Sequence, residues 1–166
     1  MSVSRILEGL SQDLWEEVRA QGETVMGLYF CVFNGDDEID GVVVGPYADF
    51  GELRDYVVRE LEGVQPGAKF PTFILHSDCH SDCDGEWSVD DAIKLLAEME
   101  EIVSSMKARK PVPFVSEWQS KAARNIGLTP KSAFECFVDM DGEFVLMRIH
   151  DLVQVAVERR LPILFQ

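Results

Sequence analysis

The chain reads as an α+β protein: a single domain with an early β-hairpin, a mixed sheet of about four to five strands, and four to five helices. Three observations predict this. Two aromatic and β-branched runs, MGLYFCVF and GVVVG, lie close together around a turn-rich NGDDEIDG, as the strands of a hairpin do. Apolar residues recur at helical spacing in several later segments, Val145, Ile149, Leu152 and Ala156 among them. A last apolar run, LPILFQ, closes the chain after those helices, so strands and helices are interspersed without a strict βαβ alternation, and α/β is the alternative. At 166 residues, 46% of them apolar, the chain has enough material for one buried core.

Taken in order, Val3, Leu7, Leu10, Leu14 and Val18 predict an amphipathic helix over residues 3–20, with Gly22 as its stop. The pattern changes abruptly at Met26. This divides the chain into an N-terminal extension helix, residues 1–25, and a single α+β domain, residues 26–166. Residues 26–33 and 41–45 are the hairpin strands, joined by a long acidic turn. Asp49 followed by Glu52 gives a capping-box-like start to a helix with Phe50, Leu53, Val57 and Leu61 on one face, ending at Gly63. FPTFILH, residues 70–76, reads as a short buried strand.

Ser88, with Asp91 at the third helical position, opens the longest helix, whose apolar stripe is Val89, Ile93, Leu96, Met99, Val103 and Met106. Lys107, Arg109 and Lys110 suit its C-terminal dipole, and Pro111 and Pro113 end it. A shorter helix follows over 116–125, ending at Gly127. AFECFV, residues 133–138, reads as a strand, DMDG as a turn, and Val145 opens the last helix. LPILFQ is the final strand, with Pro162 at its edge, where a missing N–H is tolerated.

Charge is the unusual total: 15 Lys and Arg against 30 Asp and Glu, a formal net charge of −15. Such a surface repels nucleic acid and anionic membranes and favours basic partners, cations or plain solubility. No apolar run reaches the roughly 18 residues of a membrane span. The acidic N-terminus lacks the form of a signal peptide, so the cytoplasm is expected. Four cysteines, two of them in one loop, make no disulfide framework, and the apolar surroundings of Cys31 and Cys136 mark them as small core residues.

Residues 76–83 read HSDCHSDC, a tetrad twice over. Zinc sites draw ligand pairs from separated places, whereas His76, Cys79, His80 and Cys83 share one segment and no second pair exists. His150, the third histidine, sits beside a helical core stripe and reads as a helix-surface or satisfied core residue. Counted from His80, Asp82, Asp84, Gly85 and Asp91 fall at positions three, five, six and twelve of a calcium loop. That register has His where Asp belongs, Asp where Glu belongs, and an expected strand before it. Cys83 as a nucleophile would need a depressed pKa, yet Asp78, Asp82, Asp84 and Glu86 surround it. A polar loop running into a helix N-terminus needs Ser, Asp and Gly in any case, and a four-residue slip in a loop adds little closure entropy. No catalytic residue, metal ligand or cofactor is therefore assigned.

MGLYFCVF, the acidic turn with its GVVVG strand, YADF, FPTFILHSDC, DGEWS, VDMDGEF and the terminal LPILFQ together resemble a family of small bacterial proteins, candidate immunity proteins of polymorphic toxin systems. The resemblance covers about residues 26–166. The family's loop reads HSDCDGEW with a single tetrad, so this chain departs by an inserted HSDC. What the resemblance implies is a protein that binds and neutralises a cognate toxin domain without chemistry of its own. It carries over no residue-level site. From the residues themselves, the partner-binding candidates are the hairpin acids Asp36, Asp37, Glu38 and Asp40 and the loop acids Asp78, Asp82, Asp84 and Glu86, which suit a basic toxin. The alternative is a calcium- or zinc-binding protein, or a small hydrolase, using the HSDCHSDCDGE loop.

Overall fold

The computed structural model describes residues 27–63, 65–76, 85–114 and 116–166. The helix expected over 3–20 and most of the tetrad loop lie outside the described residues.

Strands β1, Gly27–Asn34, and β2, Asp37–Pro46, form the expected hairpin. Its turn is tight rather than long. Gly35 takes φ 65° at the first central position, where a two-residue type II′ loop places glycine, and the chain reverses at once. Asp37, Glu38 and Asp40 therefore belong to β2, not to a loop. Two register shifts in the pairing, between Leu28 and Tyr29 and between Val32 and Phe33, absorb the extra residues of the longer strand.

The sheet runs β2-β1-β4-β3, with β3 at Glu86–Trp87 and β4 at Ile163–Phe165. Every pairing among the described strands is antiparallel, so the described sheet is not mixed. The C-terminal strand occupies a central place, clasped on β1 by reciprocal Tyr29–Gln166 backbone bonds of 2.8 Å. Pro162 directly precedes β4, where its missing N–H breaks no ladder bond.

One face of the sheet carries Leu28, Phe30, Val32, Val42, Trp87, Ile163 and Phe165 into the core. Phe30, Trp87 and Phe165 form an aromatic triangle with ring centroids 4.8–5.0 Å apart. The helices cover this face. Helix α1, Tyr47–Val57, continues as a π-helical turn, Val58–Glu62, and stops at Gly63 with φ 88°. Asp49 does not cap it: the carboxylate is buried inside the first turn, where it accepts bonds from Ser116, Trp118 and Gln119.

The expected strand at FPTFILH is a helix, α2, Pro71–Leu75. Pro71 holds the first helical position, and the Glu98 carboxylate accepts the N–H groups of Thr72 (3.1 Å) and Phe73 (2.8 Å), a cap supplied from elsewhere in the chain. Helix α3, Val89–Lys107, starts with the expected capping box of Ser88 and Asp91. Its buried stripe is Ala92, Leu95, Met99, Ile102, Val103 and Met106, rotated from the expected one, so that Ile93 is 55% exposed. Helix α4 spans Glu117–Asn125 with Ser116 as N-cap, and α5 spans Val145–Arg159, packed along α3.

Residues 133–138 are not a strand. Ala133–Cys136 is a 3₁₀ turn, and Val138 makes only an isolated bridge with Phe144. Ala133, Phe134, Cys136, Phe137 and Val138 are all buried, a run that strand alternation on a one-sided sheet does not allow. Cys31 and Cys136 are both buried free thiols, as expected.

Candidate functional site

The hairpin displays its acids in two ways. Asp36, Asp37 and Glu38 are exposed at the tip. Asp40, further along β2, accepts the Gly41 N–H at 2.8 Å and lies 3.6 Å from Arg148 of α5. The same guanidinium donates to the Gly41 carbonyl at 3.0 Å and reaches Glu143 at 3.3 Å. Residues 27–46 contain no Lys or Arg, and among the described contacts this side chain from another element is the cation that meets the hairpin.

On the sheet face turned away from the helices, Tyr29 lies across β2 and its phenol donates to Glu38. Gly41 permits that crossing, since a Cβ there would stand 2.0 Å from Tyr29 Oη. Burial, then the bond and charge of Glu38, push the Tyr29 phenol far above its ordinary range. Burial and the Glu38 charge likewise push the Cys31 thiol up to about 11. Both groups stay neutral at neutral pH, and Cys31 is no nucleophile.

Glu86 is exposed on β3, at the opposite edge from β2. The register Gly41–Cys31–Leu164–Glu86 sets it three strand spacings from Gly41, about 14 Å. Asp78, Asp82 and Asp84 lie outside the described residues. Of the tetrad, His76 is described: its Nδ1 stands 3.2 Å from Asp91 of the capping box. Burial pushes the Asp91 carboxyl up, but bonds from Ser88 and the bond and charge of His76 outweigh it and hold the group below the usual carboxylate range. Among the described residues, no three His, Cys, Asp or Glu side chains gather as a metal site. No described helix is long and apolar enough to cross a membrane.

The second acidic turn, residues 139–143, is expected from DMDG, but the buried role of Asp139 within it is not read from the sequence. Asp139 is fully buried, and its Oδ1 accepts the N–H groups of Asp141 and Glu143, each at 2.9 Å. Its Oδ2 has no hydrogen-bond partner. Burial, reinforced by the charges of Asp141 and Glu143 and opposed by the two backbone bonds, pushes this carboxyl up to about 7. The Met140 N–H bonds to the Val43 carbonyl at 3.0 Å and pins the turn to the hairpin. The available signal was the Asp-x-Asp-Gly string, in which an Asp side chain bonds to the backbone two residues on. Beside this turn lies an open groove of about 360 Å³ with Ile126, Leu128, Phe144 and Met147 on its floor.

Residues 28–165 match the family described as Immunity protein 70. The chain belongs to that family. The match begins in β1 and ends at the last residue of β4, so the family unit takes in all four strands, the helices between them, both acidic turns and the groove. It agrees with the resemblance expected over about 26–166. No curated protein and no solved structure matches the chain.

Proposed function

We propose that this chain is an immunity protein that acts by binding: it neutralises a cognate toxin domain in the cytoplasm by occupying it with an acidic surface, without chemistry of its own. The observation that carries the reading is the hairpin of an Immunity protein 70 member, whose tip presents Asp36, Asp37 and Glu38 to solvent on a stretch free of Lys and Arg. A partner with a basic cleft meets there a field of one sign, which raises its encounter rate. Asp78, Asp82, Asp84 and Glu86 are the second set of acids in this reading, and the total of −15 extends the field over the whole molecule. Thiol chemistry gains no support from Cys31, a buried thiol with a raised pKa.

The test is protection. Co-expressed with a cognate toxin domain, the wild-type chain restores growth. Replacing Asp36, Asp37 and Glu38 together with Lys slows association with that domain at least about tenfold at low salt, and flattens its salt dependence. Replacing Cys79 and Cys83 with Ser leaves protection intact. If the Cys changes abolish protection while the charge reversals leave it whole, the loop is a metal or thiol site and the binding reading fails.

A further inference from the structure

We propose that the groove beside the second acidic turn is an anchor site on the same interface, taking one apolar side chain from a basic segment of the toxin partner. This rests on the immunity reading above. The floor, Ile126, Leu128, Phe144 and Met147, is apolar yet only partly buried, and Glu143 and Asp151 stand at its rim with side chains 51% and 49% exposed. Arg148 also borders the groove, but its charge is spent: Glu143 lies at 3.3 Å and Asp40 at 3.6 Å, and the Gly41 carbonyl takes one N–H. With Glu143 and Asp151 against the single Arg148, the rim keeps a net negative charge around an apolar floor, though Glu143 is paired with Arg148 and Asp151 lies 3.5 Å from His150. That chemistry fits an amphipathic occupant, a Leu, Met or Phe flanked by Lys or Arg.

Three facts favour a protein segment over other occupants. At about 360 Å³ and open to solvent, the groove is at the small end of sites that enclose a ligand, roughly 300–1,000 Å³, and suits a side chain laid in from outside. A second copy of the chain brings its own −15, which opposes self-association. The Arg148 guanidinium lies 3.6 Å from Asp40 of the hairpin and 3.3 Å from Glu143 of the rim, so a segment seated in the groove lies beside the hairpin strand. The turn that forms one wall of the groove is held to β2 by the bond between the Met140 N–H and the Val43 carbonyl. An apolar anchor in a rigid pocket ringed by polar groups is the arrangement in which a few residues dominate binding.

Kinetics of binding to the cognate toxin domain identified by growth rescue separate this inference from the reading beneath it. Met147→Glu and, as a milder change, Leu128→Ser are compared with the hairpin charge reversal, each first shown to melt as cooperatively as wild type. The expected result is that both groove variants raise the dissociation rate about tenfold with little change in association rate or salt slope, while the hairpin variant slows association. If the hairpin variant alone weakens binding, the groove is not an anchor and the immunity reading stands. If wild type does not bind the domain, both fall. A wild-type dimer that Met147→Glu turns into a monomer, with toxin binding unchanged, makes the groove a self-interface and overturns the inference.

Discussion

The two acidic turns use the same residue type for opposite ends. At the hairpin tip, Asp36, Asp37 and Glu38 face water on a turn that folds through Gly35 and the strand pairing alone. In the turn at 139–143, Asp139 is buried and its carboxyl organises the loop by accepting two of its N–H groups. One turn leaves Asp36 and Asp37 unengaged among the described contacts, with Glu38 taking the Tyr29 phenol; the other consumes a carboxylate in holding itself together. Acid density in a turn is thus no measure of function until each carboxylate is asked what it already holds. Arg148 touches the hairpin strand at Asp40 and the second turn at Glu143, and makes the contrast testable within one small region.

The largest effect is expected at Asp139. At pH 5, where its carboxyl is neutral, Asp139→Ala leaves the Asp141 and Glu143 N–H groups without their acceptor and costs about 2–3 kcal/mol of folding stability. Asp139→Asn keeps an acceptor oxygen and tests the titration separately. The folded carboxyl titrates near 7, above its ordinary 3.8, so the folded state holds the proton more tightly. Its contribution is full below about pH 4 and is lost as pH rises through about 7. Relative to wild type, Asp139→Asn should therefore gain in melting temperature between pH 5 and pH 8. A constant difference across that range would show that the carboxyl titrates normally.

Arg148→Met comes next. It removes a hydrogen bond to the Gly41 carbonyl and two ion pairs that are three-quarters shielded on the arginine side but exposed at Glu143. Exposed pairs add little, so the loss is about 1 kcal/mol, most of it from the bond to the strand. Chemical denaturation checks it. A loss as large as that of Asp139→Ala would mean that the two turns are one cooperative unit and that the contrast between them is false.

What was legible in the chain was what depends on neighbours in sequence. The hairpin, the Ser88–Asp91 capping box and the helix opened by Val145 each rest on residues a few positions apart, and each is found. What was not legible depends on distant partners. FPTFIL has a strand's composition, but a carboxylate from Glu98, 26 positions beyond Thr72, supplies the cap that makes it a helix. The rotated stripe of α3 has a similar cause. Large residues at 89, 93 and 96 outweighed Ala92 on paper, while the packing of α3 against α5 places Ala92 and Leu95 in the core and leaves Ile93 outside. At the candidate site, the hairpin acids were proposed on acid density alone. The role of Arg148 could not be, because Asp40 and Arg148 are brought together only by the fold.

The smallest effect on folding is expected where the functional effect is expected to be large. Asp36 and Asp37 are exposed with no side-chain hydrogen bond or ion pair among the described contacts, and Glu38 meets only the Tyr29 phenol on the outer sheet face. Converting all three to Lys removes that one surface bond, changes no buried group, and spares the glycine on which the turn depends. Surface changes of this kind usually move stability by within about 0.5 kcal/mol. The change also relieves some self-repulsion in a chain that carries −15, which offsets the lost phenol contact. The melting temperature of the triple variant should therefore coincide with that of wild type at moderate salt, even as its association with the toxin domain slows. A melting temperature lowered as far as that of Asp139→Ala would show that the tip acids are structural after all, and any loss of protection would then report unfolding instead of a broken interface.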